Sequence, residues 1–152
     1  LILAAVGWAA FGSVSASPRP TSLVGEWRLN LKESELLPED APLAELVMAV
    51  TKDDGKSFRW TATVKLPDGQ SGSTGFDGAI DGKPYPVQGR PGSTSAFTWL
   101  SDGALKQVSQ SAAGIAVENC TFSSDFRKMN CNARQTDIAG RATSYVEVFD
   151  RQ

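Results

Sequence analysis

Over most of its length this chain alternates between apolar and polar residues with a period of two. From Ser57 to Leu66, Phe58, Trp60, Ala62, Val64 and Leu66 alternate with Ser57, Arg59, Thr61, Thr63 and Lys65. Successive side chains of a strand point to opposite faces, so this run predicts a strand with one face in a core and the other in solvent. Val24–Leu31 behaves likewise, with Trp27, Leu29 and Leu31 opposed to Glu26, Arg28 and Asn30. Further runs at Thr94–Leu100, Ala104–Ser111, Ile115–Phe122, Arg127–Arg134 and Thr143–Phe149 continue the pattern, and Ser71–Asp77 adds a further strand. Ala41–Val50 is ambiguous, because Ala, Leu, Glu and Met are good helix formers while Leu46, Met48 and Val50 also alternate; a strand is the expectation. Together these runs predict about eight or nine strands.

The connections carry specific turn signals. Asp54-Gly55, Asp68-Gly69, Asp81-Gly82 and Asp102-Gly103 can each place Gly at positive φ in a tight hairpin. No segment supplies the long crossover helices that parallel strands need. The expected fold class is therefore all-β, an antiparallel up-and-down meander closing into a barrel, which removes exposed sheet edges.

The chain opens differently. Leu1 to Phe11 is nearly all apolar and uncharged and runs into the small-residue stretch Gly12-Ser13-Val14-Ser15-Ala16-Ser17. That is the pattern of a secretory h-region and its cleavage site, and the apolar run is well short of the roughly 20 residues of a membrane span. The expected organisation is a signal peptide over 1–16, truncated at its N-terminus, a flexible mature segment over 17–23, and one barrel domain over 24–152. The expected location is periplasmic or secreted, with no membrane attachment after cleavage.

Export bears on the two cysteines, Cys120 and Cys131. They flank the polar stretch Ser123-Ser124-Asp125-Phe126-Arg127-Lys128, which reads as a turn between two strands and sets the cysteines opposite each other across the hairpin. Directly paired strand positions bring Cβ atoms to a separation that suits a disulfide, and an oxidising compartment favours it. The spacing does not fit a CxxC redox pair.

Composition then removes chemistries. The 152 residues include no histidine, which excludes His-based triads, HExxH and histidine zinc sites. With 15 basic against 17 acidic residues and no basic stripe, nucleic acid is not an expected partner. The acidic pairs Glu33/Glu35, Glu39/Asp40, Asp53/Asp54 and Asp77/Asp81 fit turns and solvated faces better than a catalytic dyad or a calcium loop. Gly69, Gly72, Gly75 and Gly78 recur every three residues without forming a phosphate-binding motif, and strand glycines mark bends and close backbone approach. Asn119-Cys120-Thr121 matches a glycosylation sequon in form, with a half-cystine at its centre. No catalytic residue, metal site or cofactor is expected.

Gly25-Glu26-Trp27 at the start of the first mature strand resembles the Gly-x-Trp signature of lipocalins and related calycin barrels. With Phe76-Asp77-Gly78, Tyr85-Pro86-Val87 and the closing Val146-Glu147-Val148-Phe149-Asp150-Arg151, it makes Val24–Gln152 similar to small, uncharacterised, exported bacterial lipocalin-like proteins. The resemblance implies a lipocalin-like barrel in which Trp27 closes the base beneath an arginine, for which Arg151 is the natural candidate. The aromatic residues Phe58, Trp60, Phe76, Phe97, Trp99, Tyr145 and Phe149 either fill such a barrel or line a cavity in it. The leading functional expectation is a non-enzymatic binding module for a small apolar ligand near the barrel mouth, contacted by Trp60, Phe97, Trp99 and Tyr145. The alternative is a protein-interaction barrel that inhibits an exported hydrolase, with Ser17-Pro18-Arg19-Pro20 inserted into the partner's cleft.

Overall fold

A computed structural model describes residues 19–38 and 42–152. The expected signal peptide, Ser17, Pro18 and the pair Glu39/Asp40 lie outside the described residues.

Ten strands run antiparallel: β1 (Gly25–Leu29), β2 (Glu45–Asp53), β3 (Ser57–Lys65), β4 (Ser71–Ala79), β5 (Tyr85–Pro86), β6 (Thr94–Trp99), β7 (Leu105–Ser111), β8 (Gly114–Phe122), β9 (Lys128–Asp137) and β10 (Ala142–Arg151). They form one sheet in the order β4-β3-β2-β1-β10-β9-β8-β7-β6-β5. Every neighbour in that order is adjacent in sequence except β1 and β10, which pair Trp27 with Arg151 and Leu29 with Phe149. That pairing wraps the meander into a nearly closed barrel. The remaining seam lies between β4 and β5, where Gly75 and Gln88 exchange two backbone hydrogen bonds of 3.0 and 2.8 Å. No α-helix occurs among the described residues.

The expected eight or nine strands become ten because of β5. Two residues long and ending in Pro86, it carries no readable alternation, and it exists because its neighbour β6 offers a ladder that Tyr85 and Pro86 can join. Within Ala41–Val50 the strand begins at Glu45, runs to Asp53, and steps its register between Val50 and Lys52. The four Asp-Gly turns form with Gly55, Gly69, Gly82 and Gly103 at φ between 76° and 88°. In each, the aspartate side chain accepts the amide two residues on, from Lys56, Gln70, Lys83 and Ala104 respectively.

The meander sorts the connections into two ends. The links β1–β2, β3–β4, β5–β6, β7–β8 and β9–β10 lie at one end, the mouth. The links β2–β3, β4–β5, β6–β7 and β8–β9 lie at the base, with the N-terminal segment. The packed core sits in the base half: Trp27 and Phe76 are fully buried, among Leu23, Phe58, Phe97, Leu105, Phe122, Met129 and Phe149. Edge-on ring contacts join Phe58 to Phe97 and Phe97 to Phe76, at 5.3 and 4.7 Å between centroids.

Candidate functional site

Above that aromatic floor the barrel is hollow. A cavity of about 910 Å³ reaches from Trp27, Phe97 and Phe149 up to the mouth connections, where Leu37, Pro67, Arg90 and Ala113 line it. This volume lies within the roughly 300–1,000 Å³ usual for small-molecule sites. The interior is hollow because its inward positions change size along the strands. Facing pairs near the floor are large, such as Trp60 opposite Phe76, whereas the next rung up pairs Ala62 with Thr74. Two small side chains on one rung cannot span the barrel, and the space above them stays open.

The two sides of the cavity differ in chemistry. One wall is apolar, with Leu29 of β1, Leu46, Met48 and Val50 of β2, and Trp60 and Val64 of β3. Leu36 and Leu43, from the connection that follows β1, extend it towards the mouth. The opposite wall, from β6 to β10, is polar. Ser95 and Ser109 share a 3.0 Å hydrogen bond between their hydroxyls. The Gln107 amide nitrogen donates to both, at 3.2 and 2.9 Å. Glu118 of β8 accepts a 2.6 Å hydrogen bond from the Tyr145 hydroxyl of β10. Burial pushes the Glu118 carboxyl above the ordinary glutamate range, and that hydrogen bond partly opposes the shift. Glu147 of β10 lines the same wall.

The cysteines are set opposite each other in β8 and β9 and are joined by a disulfide on the inner face. Both sulfurs lie within 4.8 Å of a Glu118 carboxylate oxygen. With the sulfurs bonded to each other, this trio is not a metal-ligand set, because a thiolate is what binds metal.

Of the four candidate ligand contacts, Trp60, Phe97 and Tyr145 line the cavity, and Trp99 does not. Trp99 ends β6 at the base, 6.0 Å from the Phe122 ring, with its indole N–H buried and without a hydrogen-bond partner. The Arg19 guanidinium stacks over Trp99 at 4.2 Å, and the next residue, Pro20, is buried. Arg19 and Pro20 therefore pack on the closed end of the barrel. Trp27 sits beside this cluster with its ring 6.5 Å from Phe122, and its indole N–H donates to the Leu23 carbonyl at 2.9 Å. The Arg151 guanidinium lies 5.3 Å from the Trp27 ring and donates to the Val24 carbonyl, while Gly25 leaves room for it. Cation and aromatic faces alternate here, and each such contact is attractive.

The described acidic pairs serve local structure. Asp53 accepts the amides of Leu23 and Gly55. Asp54 caps its turn through Lys56 and Ser57, contacts that hold its carboxyl far below the usual range. Asp77 pairs with Arg59 at 2.7 Å, and Asp81 accepts from the Tyr85 hydroxyl. Glu33 bonds Lys128 at 2.6 Å, and Glu35 joins β10 through its backbone beside Val146. None of these lines the cavity. Glu118, Glu147 and Gln107 also line the polar wall and are not among the residues expected from the sequence. A signal for the glutamates existed: Glu118 is two residues before the inward Cys120, and Glu147 two before the inward Phe149.

No protein-family model matches the sequence, and no curated sequence matches it. Solved structures share its fold. Wild-type fluorescent protein UnaG superposes with a TM-score of 0.56 at 14% identity, covering 86% of this chain and 97% of that one. The S-type phycobiliprotein lyase CPES from Guillardia theta gives 0.56 at 16% identity, covering 86% and 88%. The Schistosoma mansoni fatty acid binding protein in complex with arachidonic acid gives 0.52 at 16% identity, covering 85% and 95%. UnaG and the fatty acid binding protein are calycin-type barrels, and at these identities the likeness shows the fold alone.

Proposed function

We propose that this chain is an exported, non-enzymatic binding protein that holds one small, largely apolar ligand inside its barrel. The observation that carries this reading is the cavity itself: about 910 Å³, walled on one side by aliphatic and aromatic side chains and reaching the mouth. Trp60, Phe97 and Tyr145 contact the ligand, while Trp27, Arg151 and Gly25 hold the closed end. A barrel of similar fold is known in complex with arachidonic acid, which supports a long apolar body as the part of the ligand that the barrel encloses. The disulfide points to an oxidising compartment, and with the apolar run at 1–11 it supports export, with cleavage after Ala16.

Titration with N-phenylnaphthylamine, a neutral apolar fluorophore, tests the reading. The expected result is saturable binding of one probe per chain with a Kd of order 1 μM, and energy transfer from tryptophan to the probe. Emission that rises without saturation, or not at all, would sink the proposal. Native mass spectrometry of protein taken from its exported compartment then shows what the cavity holds in the cell.

A further inference from the structure

The charge lining this cavity is sorted by depth. Among the described residues, the ionic side chains that line it are Asp68, Arg90, Glu118 and Glu147. Asp68 and Arg90 belong to the mouth turns and are exposed to solvent. The two glutamates lie on the inner wall, on either side of the disulfide. Glu118 is on β8, two residues from Cys120, and Glu147 is the β10 partner of Cys131. Among the described residues, no lysine or arginine lines the wall below the mouth. Among the neutral polar groups there, Gln107 presents an acceptor. The Gln107 amide nitrogen is engaged by Ser95 and Ser109, so the group it offers a ligand is its carbonyl oxygen. The Tyr145 hydroxyl directs its proton to the Glu118 carboxylate.

We infer that the cavity is built for an amphipathic cation, an apolar body bearing a protonated amine, with the ammonium seated at the Glu118 and Glu147 wall and the body against β2 and β3. The inference rests on the ligand-binding reading above and names the class of ligand. An ammonium brings donors to these carboxylate oxygens and restores to Glu118 the favourable environment that burial removes. A ligand carboxylate would meet like charge in a space that screens it poorly. The Glu118 carboxyl, held above its ordinary range by burial, returns towards ionisation when a cation binds beside it.

Three ligands of one chain length separate the possibilities: dodecylamine, dodecanol and dodecanoate, each below its micellar concentration near pH 7, displacing N-phenylnaphthylamine. Dodecylamine is expected to bind about tenfold or more tightly than dodecanoate, with dodecanol between them. In the double variant Glu118→Gln/Glu147→Gln, the amine should lose about fivefold or more while dodecanol stays within about twofold. Equal or tighter binding of dodecanoate, with probe and dodecanol still bound, overturns the cation inference and leaves the binding reading standing. An amine preference that survives in the double variant overturns its assignment to these two residues. Failure of the probe and all three ligands to bind overturns the binding reading as well.

Discussion

A carboxylate inside a barrel is a destabilising choice, and Glu118 makes it. Its carboxyl is raised by burial against the opposing hydrogen bond from Tyr145. A carboxyl whose folded pKa exceeds its unfolded one leaves the folded state unpenalised while both states are protonated. As the pH climbs from the unfolded value, about 4.3, towards the folded one, the unfolded chain ionises first and stability falls. Glu118→Gln keeps an acceptor for the Tyr145 hydroxyl and removes the charge. In the ligand-free protein near pH 7 it should therefore raise Tm by about 3 °C or more. The gain should fade as the pH falls through the ordinary glutamate range, and thermal melts across pH measure it. A gain that persists unchanged at low pH would mean that packing, not charge, is responsible. Asp54 has the opposite sign: its turn contacts hold its carboxyl low, so what it contributes is present above the usual aspartate range and lost as the pH falls below it.

At the scale of elements, alternation located eight of the ten strands, because each has one face in the barrel and one in solvent, while the Gly/Ser-rich β4 carries only Phe76 as a large apolar residue. It failed at β5, where Tyr85 and Pro86 are too few to alternate and their pairing is dictated by β6. Alternation also names which residues face inward, but not how far up the barrel they lie. Phe97 and Trp99 share a face of β6, yet one lines the cavity and the other sits beneath the floor, a distinction that needs the connectivity. Glu118 and Glu147 face inward by the same rule, but the expectation of an apolar ligand points to aromatic contacts and not to carboxylates. The β4–β5 seam, invisible in the sequence, depends on close backbone approach. Gly89 has φ 76°, and a Cβ there would stand 2.5 Å from the Ser73 carbonyl oxygen. Gly89→Ala should cost about 1–3 kcal/mol in urea unfolding. It should also speed amide exchange at Gly75 and Gln88 more than elsewhere. Exchange that accelerates evenly over the barrel would show that the seam is not the weak point. The hairpin of β8 and β9 is instead fastened covalently. Its disulfide closes a loop with a sequence separation of 11, and removing it with paired serines should cost about 2–3 kcal/mol.

For the molecule as a whole, the decisive property is that one half of the barrel is filled and the other is not. Trp60, Phe76, Phe97 and Phe58 meet across the lower half, and inserting more volume there would force side chains off their rotamers, at about 1–3 kcal/mol. Ala62 and Thr74 sit one rung higher, beside open space. Ala62→Phe places a ring in the cavity without displacing a packed neighbour, so Tm should move by no more than about 3 °C in either direction. The same ring occupies the volume a ligand would use, so N-phenylnaphthylamine should bind about tenfold or more weakly. Fold and binding are thereby uncoupled in one substitution, which neither a solid barrel nor a surface site allows. In a solid barrel Ala62→Phe would destabilise strongly, and with a surface site the probe would bind as before. Paired melts and titrations of this variant therefore separate a carrier with an internal chamber from a barrel that works through its exterior.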